Sequence, residues 1–444
     1  MIDQLQVFFN KNHFVRFTTE NLASLIYNDM VLGLNNKVDE NDNKIEENAA
    51  FQPMIPVYGF LEERKQTNQN ILVIDAGGTN FRSCLVSFDD KGKASISELK
   101  KSKMPGIEKE LSKEEFYNSI ADRIDYLKNK ADKIGFCFSY AMEMNKESDG
   151  KVMVFSKEIK APEVIGTYVG KELMNVLIQR GWTTLKRIVL LNDTVAALLS
   201  GFYNPLATTK YSSYIGFVFG TGINNAYIEK NVIPKLQEDD SLSTSSKPQK
   251  HIVVCECGMF DNPILSSEFD IKLDKMSTDP GASILEKMCS GAYMGKLAWI
   301  IIKEACKEYL FSADFTKAFS KIKTLESIEL DIFLDNPDNP KELLSGLTHG
   351  NDSDKQLLKE IITRIIERSS SIVAAVLIAT IRKCNNGKTH SNPVCLVCNG
   401  STFWKCHNLK DNVENILKEN KMHFQIVQID DDITIGSAIA AIRA

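Results

Sequence analysis

The sequence predicts an α/β protein built from two related domains that enclose a cleft. Apolar, strand-like runs alternate with helical patterns along the chain, which is typical of α/β folds. Two strand–turn–strand segments, centred on Thr79 and Thr221, each open such an alternating block and indicate duplicated halves. The length of 444 residues also exceeds what one hydrophobic core usually supports.

The first half contains three recognisable pieces. "NILVIDAGGTNFRSCLVSF" predicts a β-hairpin with a glycine turn, and "DKIGFCFSYAM" predicts a third apolar strand. "RIVLLNDTVAALLSGF" predicts a strand followed directly by a helix. The second half repeats this order: "SYIGFVFGTGINNAYIEKN" predicts another hairpin, and "NPVCLVCNGS" predicts a late strand that ends in a small-residue turn.

Helical patterns fill the rest of the second half. They run from Pro280 to about Leu310 and from Lys355 to Lys383, and a small-residue helix closes the chain. The apolar run "SIVAAVLIATI" lies in the second of them and is too short to span a bilayer, so we expect it to be a buried core helix.

The net charge, the N-terminal pattern and the cysteines together favour a cytoplasmic protein that binds neither nucleic acid nor membranes. The net charge of −5 supplies no basic field for nucleic acid or anionic lipid, so we expect neither a nucleic-acid partner nor a membrane partner. Charges run through the N-terminal apolar pattern, which argues against a signal peptide and favours a cytoplasmic protein. The ten cysteines are then expected to be reduced, buried thiols.

The turn "DAGGTNFR" has the residues of a phosphate-binding loop. Gly77 and Gly78 let the backbone approach a ligand closely with free N–H groups. Thr79 adds a hydroxyl, Arg82 adds a guanidinium fork, and Asp75 is suited to hold Mg²⁺ directly or through water. Taken alone, a Gly-Gly-Thr segment favours an ordinary hairpin turn over a phosphate site.

Two further turns resemble the first in composition. Gly220 and Thr221 lie in the second hairpin, and Gly400 and Ser401 follow the late strand. Each is weak evidence alone, because a plain turn has the same residues. The two hairpins together suggest a phosphate clamp with two sides, and the third turn suggests a contact with phosphate or nucleoside.

Asp193 lies where an apolar strand changes to a helix. An aspartate in this place can cap the helix by accepting from free N–H groups. It can also serve as a general base that accepts a proton from a substrate hydroxyl.

Seven motifs in this order and spacing resemble the eukaryotic-type hexokinase family in its single-unit form. They are "DAGGTNFR", "GFCFSY", "LLNDTVAALL", "FGTGINNAYIE", "ECGMF", "DPGASILEKMCSGAYMGKL" and "VCNGSTF". The resemblance covers roughly residues 15 to 440 and implies the actin-like ATPase (ribonuclease H-like) fold, with two α/β domains on mixed five-stranded sheets. It also implies transfer of the γ-phosphate of ATP, with Mg²⁺, to the 6-hydroxyl of a hexose.

The expected domain organisation has four parts. Residues 1–65 form a helical segment that packs on the large domain, and residues 66–210 form the small domain. Residues 211–430 form the large domain, and residues 431–444 form a helix that returns to the small domain. A monomer or a homodimer is expected.

The resemblance also implies roles for individual residues. The catalytic residues would be Asp193 as the base, with Lys157 and Arg82. The sugar contacts would be Ser139, Ser156, Lys157, Asn192, Asp193, Glu256 and Glu286. The nucleotide contacts would be Asp75, Gly77, Gly78, Thr79, Asn80, Arg82, Gly220, Thr221, Gly400 and Ser401, with Asp75 on the Mg²⁺ side.

Several positions depart from the family pattern. Val254 and Ser283 stand where amides that contact sugar are expected, Tyr140 replaces a Phe, and Ile435 replaces a Lys on the nucleotide side. Two functions therefore remain open. One is an active hexokinase for glucose, and also for mannose or fructose, in the first step of glycolysis. The other is a catalytically weak hexose sensor on the same fold.

Overall fold

The computed structural model of the protein describes residues 2–35, 50–61, 67–155, 159–205, 207–236, 250–384, 389 and 391–444. The strands are β1 (Ile55–Val57), β2 (Gln69–Gly77), β3 (Asn80–Phe88), β4 (Ala94–Lys103), β5 (Lys133–Phe138), β6 (Ala141–Met144), β7 (Gly150–Val154), β8 (Arg187–Leu191), β9 (Ser213–Phe219), β10 (Ile223–Glu229), β11 (His251–Val254), β12 (Val394–Asn399) and β13 (Phe424–Val427). The α-helices are α1 (Ile2–Lys11), α2 (Thr19–Asn35), α3 (Lys113–Ile124), α4 (Val169–Gln179), α5 (Asp193–Phe202), α6 (Glu268–Met276), α7 (Ile284–Cys289), α8 (Met294–Lys307), α9 (Ala313–Phe319), α10 (Ser327–Asp335), α11 (Leu343–Leu347), α12 (Asp352–Lys383), α13 (Ser401–Lys405), α14 (Leu409–Glu419) and α15 (Asp432–Arg443).

The first sheet has five strands in the order β4-β3-β2-β5-β8. β4, β3 and β2 pair antiparallel, whereas β2, β5 and β8 run parallel. The predicted glycine hairpin is confirmed, since Gly77 pairs with Asn80 at its tip. The continuous apolar runs of β5 and β8 suit strands covered on both faces, and α3 and α4 share the core on one face.

The second sheet repeats this order and adds one strand, giving β1-β11-β10-β9-β12-β13. β11, β10 and β9 pair antiparallel, and β9, β12 and β13 run parallel. The expectation of five strands is wrong for this sheet. β1, from the N-terminal segment, pairs antiparallel with β11, so that Val57 lies opposite Ile252. The duplicated halves predicted from the hairpins are otherwise confirmed.

The largest core lies on the outer face of the second sheet. Phe8 of α1 and Ile26 of α2 are buried there with Ile372 of α12. The predicted helix around "SIVAAVLIATI" is confirmed as the buried half of α12. Among the described residues, no helix is both long enough and apolar enough to cross a membrane. The ten cysteines are all free, and nine of them are buried.

Two helices, α5 and α15, fill the space between the sheets. Val195 and Ala196 of α5 belong to one apolar cluster with Ile439 of α15 and with residues of both sheets. Their backbones approach closely because glycines lie at the contacts. A Cβ at Gly436 of α15 would clash with the carbonyl oxygen of Ala196, and one at Gly216 of β9 would clash with the carbonyl oxygen of Thr194. α5 is therefore held between α15 and the second sheet.

Gly436→Ala is expected to destabilise the protein by about 1–3 kcal/mol, because the added methyl must separate two packed backbones. Alanine is the better helix former by up to about 1 kcal/mol, so a loss of stability has to come from the clash. Chemical denaturation measures the change. Ser437→Ala, one position further along α15, is the matched control; equal stability losses in the two variants would contradict the packing argument.

Candidate active site

Asp193 is the first residue of α5 and follows β8 directly through Asn192. The Asn192 side chain caps the helix, because its Oδ1 accepts from the Thr194 backbone N–H at 2.9 Å and from the Thr194 hydroxyl at 2.6 Å. The Asp193 Oδ1 accepts from the same N–H at 2.8 Å. Asn192 thus provides most of the helix cap expected at this junction. The second carboxylate oxygen of Asp193, Oδ2, takes no part in the cap.

Burial raises the pKa of Asp193 to about 6. The Thr194 N–H bond and a bond from the Ser139 side chain act in the opposite direction, while the nearby Asp75 carboxylate raises the pKa further. A carboxylate with this pKa remains mostly ionised at pH 7 and is a stronger base than an exposed aspartate. Such a shift in a cleft is a mark of functional groups.

The hairpin of β2 and β3 places its tip beside this carboxylate. Asp75 lies opposite Arg82 in the strand register, and an Arg82 nitrogen lies 3.7 Å from Asp75 Oδ2. Burial raises the pKa of Asp75, and the Arg82 guanidinium partly offsets this rise. Gly78 has a positive φ of 55° with open space around it, and Thr79 and Asn80 are exposed. The tip thus presents unobstructed backbone and a hydroxyl.

An amide and two carboxylates lie on the other side of the cleft: Asn224 of β10, Glu256 just after β11 and Glu286 of α7. Asn224 Nδ2 donates to Glu256 Oε1 at 2.8 Å, and the Glu256 backbone N–H donates to Asn224 Oδ1 at 3.0 Å. Glu256 has a left-handed backbone with φ 54°, which directs it away from the line of β11. Glu286 Oε2 accepts from the Ile223 N–H at 3.1 Å.

Burial raises the pKa of Glu256 to about 7, and the neighbouring carboxylates of Asp193 and Glu286 raise it further. The Asn224 amide acts against this rise. Burial also raises the pKa of Glu286. A carboxyl that is partly protonated and hydrogen-bonded to an amide can both donate to and accept from a polyol. These side chains therefore suit a ligand rich in hydroxyls.

The turn of the second hairpin lies against the third glycine turn. A Cβ at Gly400 would clash with the carbonyl oxygen of Phe219, and a Cβ at Gly220 would lie 3.7 Å from Gly400 Cα. Thr402 Oγ1 donates to the Gly220 carbonyl at 2.9 Å. The predicted late turn is the start of α13, with Gly400 at its N-cap position and Ser401 exposed. Gly220, Thr221, Gly400 and Ser401 therefore form one continuous surface.

Asp432, at the start of α15, is a further carboxyl near the cleft that sequence reasoning missed. Its Oδ1 accepts from Asn399 Nδ2 at 2.6 Å and from the Ile433 N–H at 2.8 Å. The residue is only 3% exposed. Burial raises its pKa to about 7, and the charges of Asp193 and Asp75 raise it further, which places all three carboxyls in one neighbourhood.

The structure thus brings together most of the predicted site residues. Ser156 and Lys157 lie outside the described residues. Val254 packs in the apolar cluster between the sheets and lines a small cavity beside Asn192 and Glu256. The amide that the family pattern places at position 254 as a sugar contact is absent, and a separate amide, Asn224, donates to Glu256. Asn224 was missed although it follows the predicted Gly-Thr turn by only three residues.

Two sheets of the same strand order, with carboxylates and glycine turns facing one cleft, define a two-domain α/β protein suited to phosphate transfer to a hydroxyl. Family models described as "Hexokinase" match residues 9–203 and 214–443. The chain therefore belongs to the hexokinase family and is a hexose kinase.

Individual relatives agree with this assignment. Glucokinase-1 of Kluyveromyces lactis is 27% identical in an alignment of 445 positions, gaps included, that covers 91% of each chain. Hexokinase-1 of Schizosaccharomyces pombe is 28% identical over 89% of this chain and 83% of its own. The solved hexokinase of Schistosoma mansoni complexed with glucose superposes with a TM-score of 0.77 over 99% of both chains, at 21% identity. This likeness confirms the expected actin-like, two-domain fold.

Proposed function

We propose that this protein transfers the γ-phosphate of ATP to the 6-hydroxyl of a hexose, with glucose as the first candidate and mannose and fructose as others. The observation that carries the proposal is the position of Asp193. Its carboxylate lies at a helix start, with Asp75 of the first hairpin and Glu256 of the other sheet close enough to shift carboxyl pKa values. Such a reaction is the usual first step of glycolysis.

In the proposed reaction the ionised Asp193 carboxylate accepts the proton of the 6-hydroxyl as the hydroxyl oxygen attacks the γ-phosphorus. The bond between the γ-phosphorus and its bridging oxygen breaks, and ADP leaves with that oxygen. Phosphoryl transfer depends on positioning and on neutralising charge more than on covalent chemistry. The Asn192 cap and the two packed helices hold Asp193 in place for this step.

The phosphate chain of ATP is proposed to lie between the two hairpins. Open backbone at Gly78, the Thr79 hydroxyl and the Arg82 guanidinium would bind it on one side, with Gly220 and Thr221 on the other. Gly400 and Ser401 would continue this surface toward the nucleoside.

Mg²⁺ fits the donors at this edge of the cleft. Asp75 offers a hard carboxylate that is 18% exposed in its side chain, and Mg²⁺ in kinases is held by one or two carboxylates together with substrate phosphates. When bound it neutralises phosphate charge. Among the described residues, no group of three His, Cys, Asp or Glu side chains is arranged to hold a metal. Phosphate and water would therefore supply most of its ligands.

The hexose is proposed to bind between Ser139, Asn192 and Asp193 on one side and Asn224, Glu256 and Glu286 on the other. These groups include amides, which donate and accept, and carboxyls, which accept and, when protonated, also donate. A site built for hydroxyls rejects analogues that leave its polar groups unpaired. The apolar Val254 offers no polar contact where the family pattern has an amide, whereas Asn224 is placed to orient Glu256.

A panel of sugars tests the proposal. Purified protein with Mg²⁺-ATP is offered glucose, mannose, fructose and glucosamine, and the formation of ADP and sugar 6-phosphate is followed. Turnover should be highest with glucose and should require the sugar. If the sugars bind without any turnover, the protein is a sensor and the proposed reaction is wrong for it.

The pH dependence of turnover should report the Asp193 base. Because only the ionised carboxylate accepts a proton, kcat/KM for the hexose is expected to fall as pH drops below about 6. The profile is measured at saturating ATP, with circular dichroism at each pH to confirm folding. Glu256→Gln is the control, because the acid limb should persist when this other shifted carboxyl is removed. A flat profile from pH 5 to 7 would exclude this base.

A further inference from the structure

Tyr140 contacts both halves of the proposed site. Its hydroxyl donates to the carbonyl oxygen of Gly78, in the first hairpin, at 2.7 Å. The residue also lines a small, mostly apolar cavity together with Asn192 and Glu256, two of the proposed sugar contacts. The residue is 7% exposed, and its ring is fixed by Phe138 at 4.7 Å between centroids. One rigid side chain therefore spans from the sugar groups to the phosphate turn.

The backbone around Tyr140 is tied to the same hairpin. The Ser139 N–H donates to the Ala76 carbonyl at 3.0 Å. Gly77 approaches Ser139 so closely that a Cβ on it would lie 3.1 Å from the Ser139 side chain. The Ser139 side chain also lies near Asp193, where it lowers the pKa of that carboxyl. The segment 139–140 thus moves with the tip of the first hairpin as one unit.

The peptide at Gly78 is a part of the hairpin whose conformation the Tyr140 hydrogen bond can fix. The φ of Gly78 is positive, a Cβ added to it would meet no atom within 4 Å, and the residue is exposed. Glycine in such a position can adopt several backbone conformations. The Tyr140 bond selects one of them by fixing the carbonyl, which also fixes the direction of the next N–H, that of Thr79.

We propose that the Tyr140 hydroxyl is a positioning group that couples hexose binding to nucleotide binding. This inference rests on the proposed function. A hexose that shifts the segment 139–140 also shifts the Gly78 carbonyl to which the Tyr140 hydroxyl is bonded, and the nucleotide then meets a hairpin already in its binding form. By linkage, the nucleotide must strengthen hexose binding by the same factor. The family pattern has Phe at this position, and Phe has no hydroxyl to make this bond.

The test compares the full-length protein with its Tyr140→Phe variant, which keeps the ring and removes only the bond. Calorimetry measures the dissociation constant of a non-hydrolysable ATP analogue with Mg²⁺, without glucose and with saturating glucose. Glucose should tighten analogue binding in the natural protein, and this tightening should shrink about two- to tenfold in Tyr140→Phe. Glucose affinity without nucleotide should change less than about twofold, because the ring remains.

Tyr117→Phe is the matched control. This buried tyrosine of the same domain donates to or accepts from the Thr167 hydroxyl at 2.7 Å, and neither residue lies in the proposed site. Its coupling ratio should equal that of the natural protein. No tightening in the natural protein, or equal tightening in Tyr140→Phe, would overturn the inference. The proposed function fails separately, if the natural protein binds no glucose or turns over no ATP.

Discussion

Asp193→Asn is expected to lower kcat by about 10²- to 10⁴-fold while the protein still binds hexose. The amide keeps the shape of the side chain and an oxygen that can accept from the Thr194 N–H, so the start of α5 should stay intact. What is lost is the oxygen able to take the hydroxyl proton. Steady-state kinetics with glucose and ATP, together with a glucose-binding measurement, separate the two effects.

The stability of this variant supplies an internal control. The pKa of Asp193 is about 6 in the folded protein and lower in the unfolded chain, where its ordinary value is 3.8, so stability falls as pH rises between these two values and the full cost is present at pH 7. At pH 7 the Asn variant should therefore unfold at the same temperature as the natural protein or higher. Lower activity combined with a lower unfolding temperature would indicate structural damage. If the Asn variant kept more than a tenth of the normal kcat, Asp193 would not be the base.

Arg368→Met is expected to reduce the free energy of unfolding by about 3–5 kcal/mol. Arg368 of α12 binds Asp270 of α6 through two bonds, NH1 to Oδ1 at 3.0 Å and NH2 to Oδ2 at 2.6 Å. Their side chains are 1% and 5% exposed. Removing the guanidinium leaves a buried carboxylate with only the Ser267 hydroxyl and N–H as partners. Chemical denaturation measures the loss.

The same helix offers a matched control. Arg382, near the end of α12, forms an ion pair with Glu20 at 2.7 Å, and both side chains reach solvent. Arg382→Met should change stability by less than about 1 kcal/mol, because exposed pairs contribute little. Similar losses in the two variants would mean that burial does not decide the importance of these ion pairs.

The parts of the fold that depend on local pattern were predictable from sequence. Both hairpins, the strand–helix junction at Asp193 and the long buried helix follow from apolar periodicity and turn residues. The convergence of Asp75, Ser139 and Asp193 could also be expected, since β2, β5 and β8 end at one edge of a parallel sheet. Pairing between distant segments was not predictable. β1 is an example, because it has only three residues and its sequence pattern does not indicate which strand it pairs with.

Two site residues were missed for physical reasons. Asn224 and Asn225 are adjacent and chemically identical. They differ only in the face of the strand on which each side chain lies, which the strand register decides. Asn225 points into the core, where it donates to the Thr380 hydroxyl, whereas Asn224 faces Glu256. Asp432 follows two other acids and looks like part of a solvated run. The left-handed backbone of Asp431 turns it inward, and sequence alone gives no sign of that turn.

The buried cysteines imply a different behaviour once the chain unfolds. Burial raises the pKa of these thiols, to about 12 for Cys84 and Cys395, so reactive thiolate is scarce while the protein is folded. Unfolding returns ten thiols to their ordinary reactivity at once. Disulfides between chains would then trap the unfolded protein, and heating without a reductant would inactivate it irreversibly. Its lifetime in an oxidising buffer would be set by how fast it unfolds rather than by its equilibrium stability.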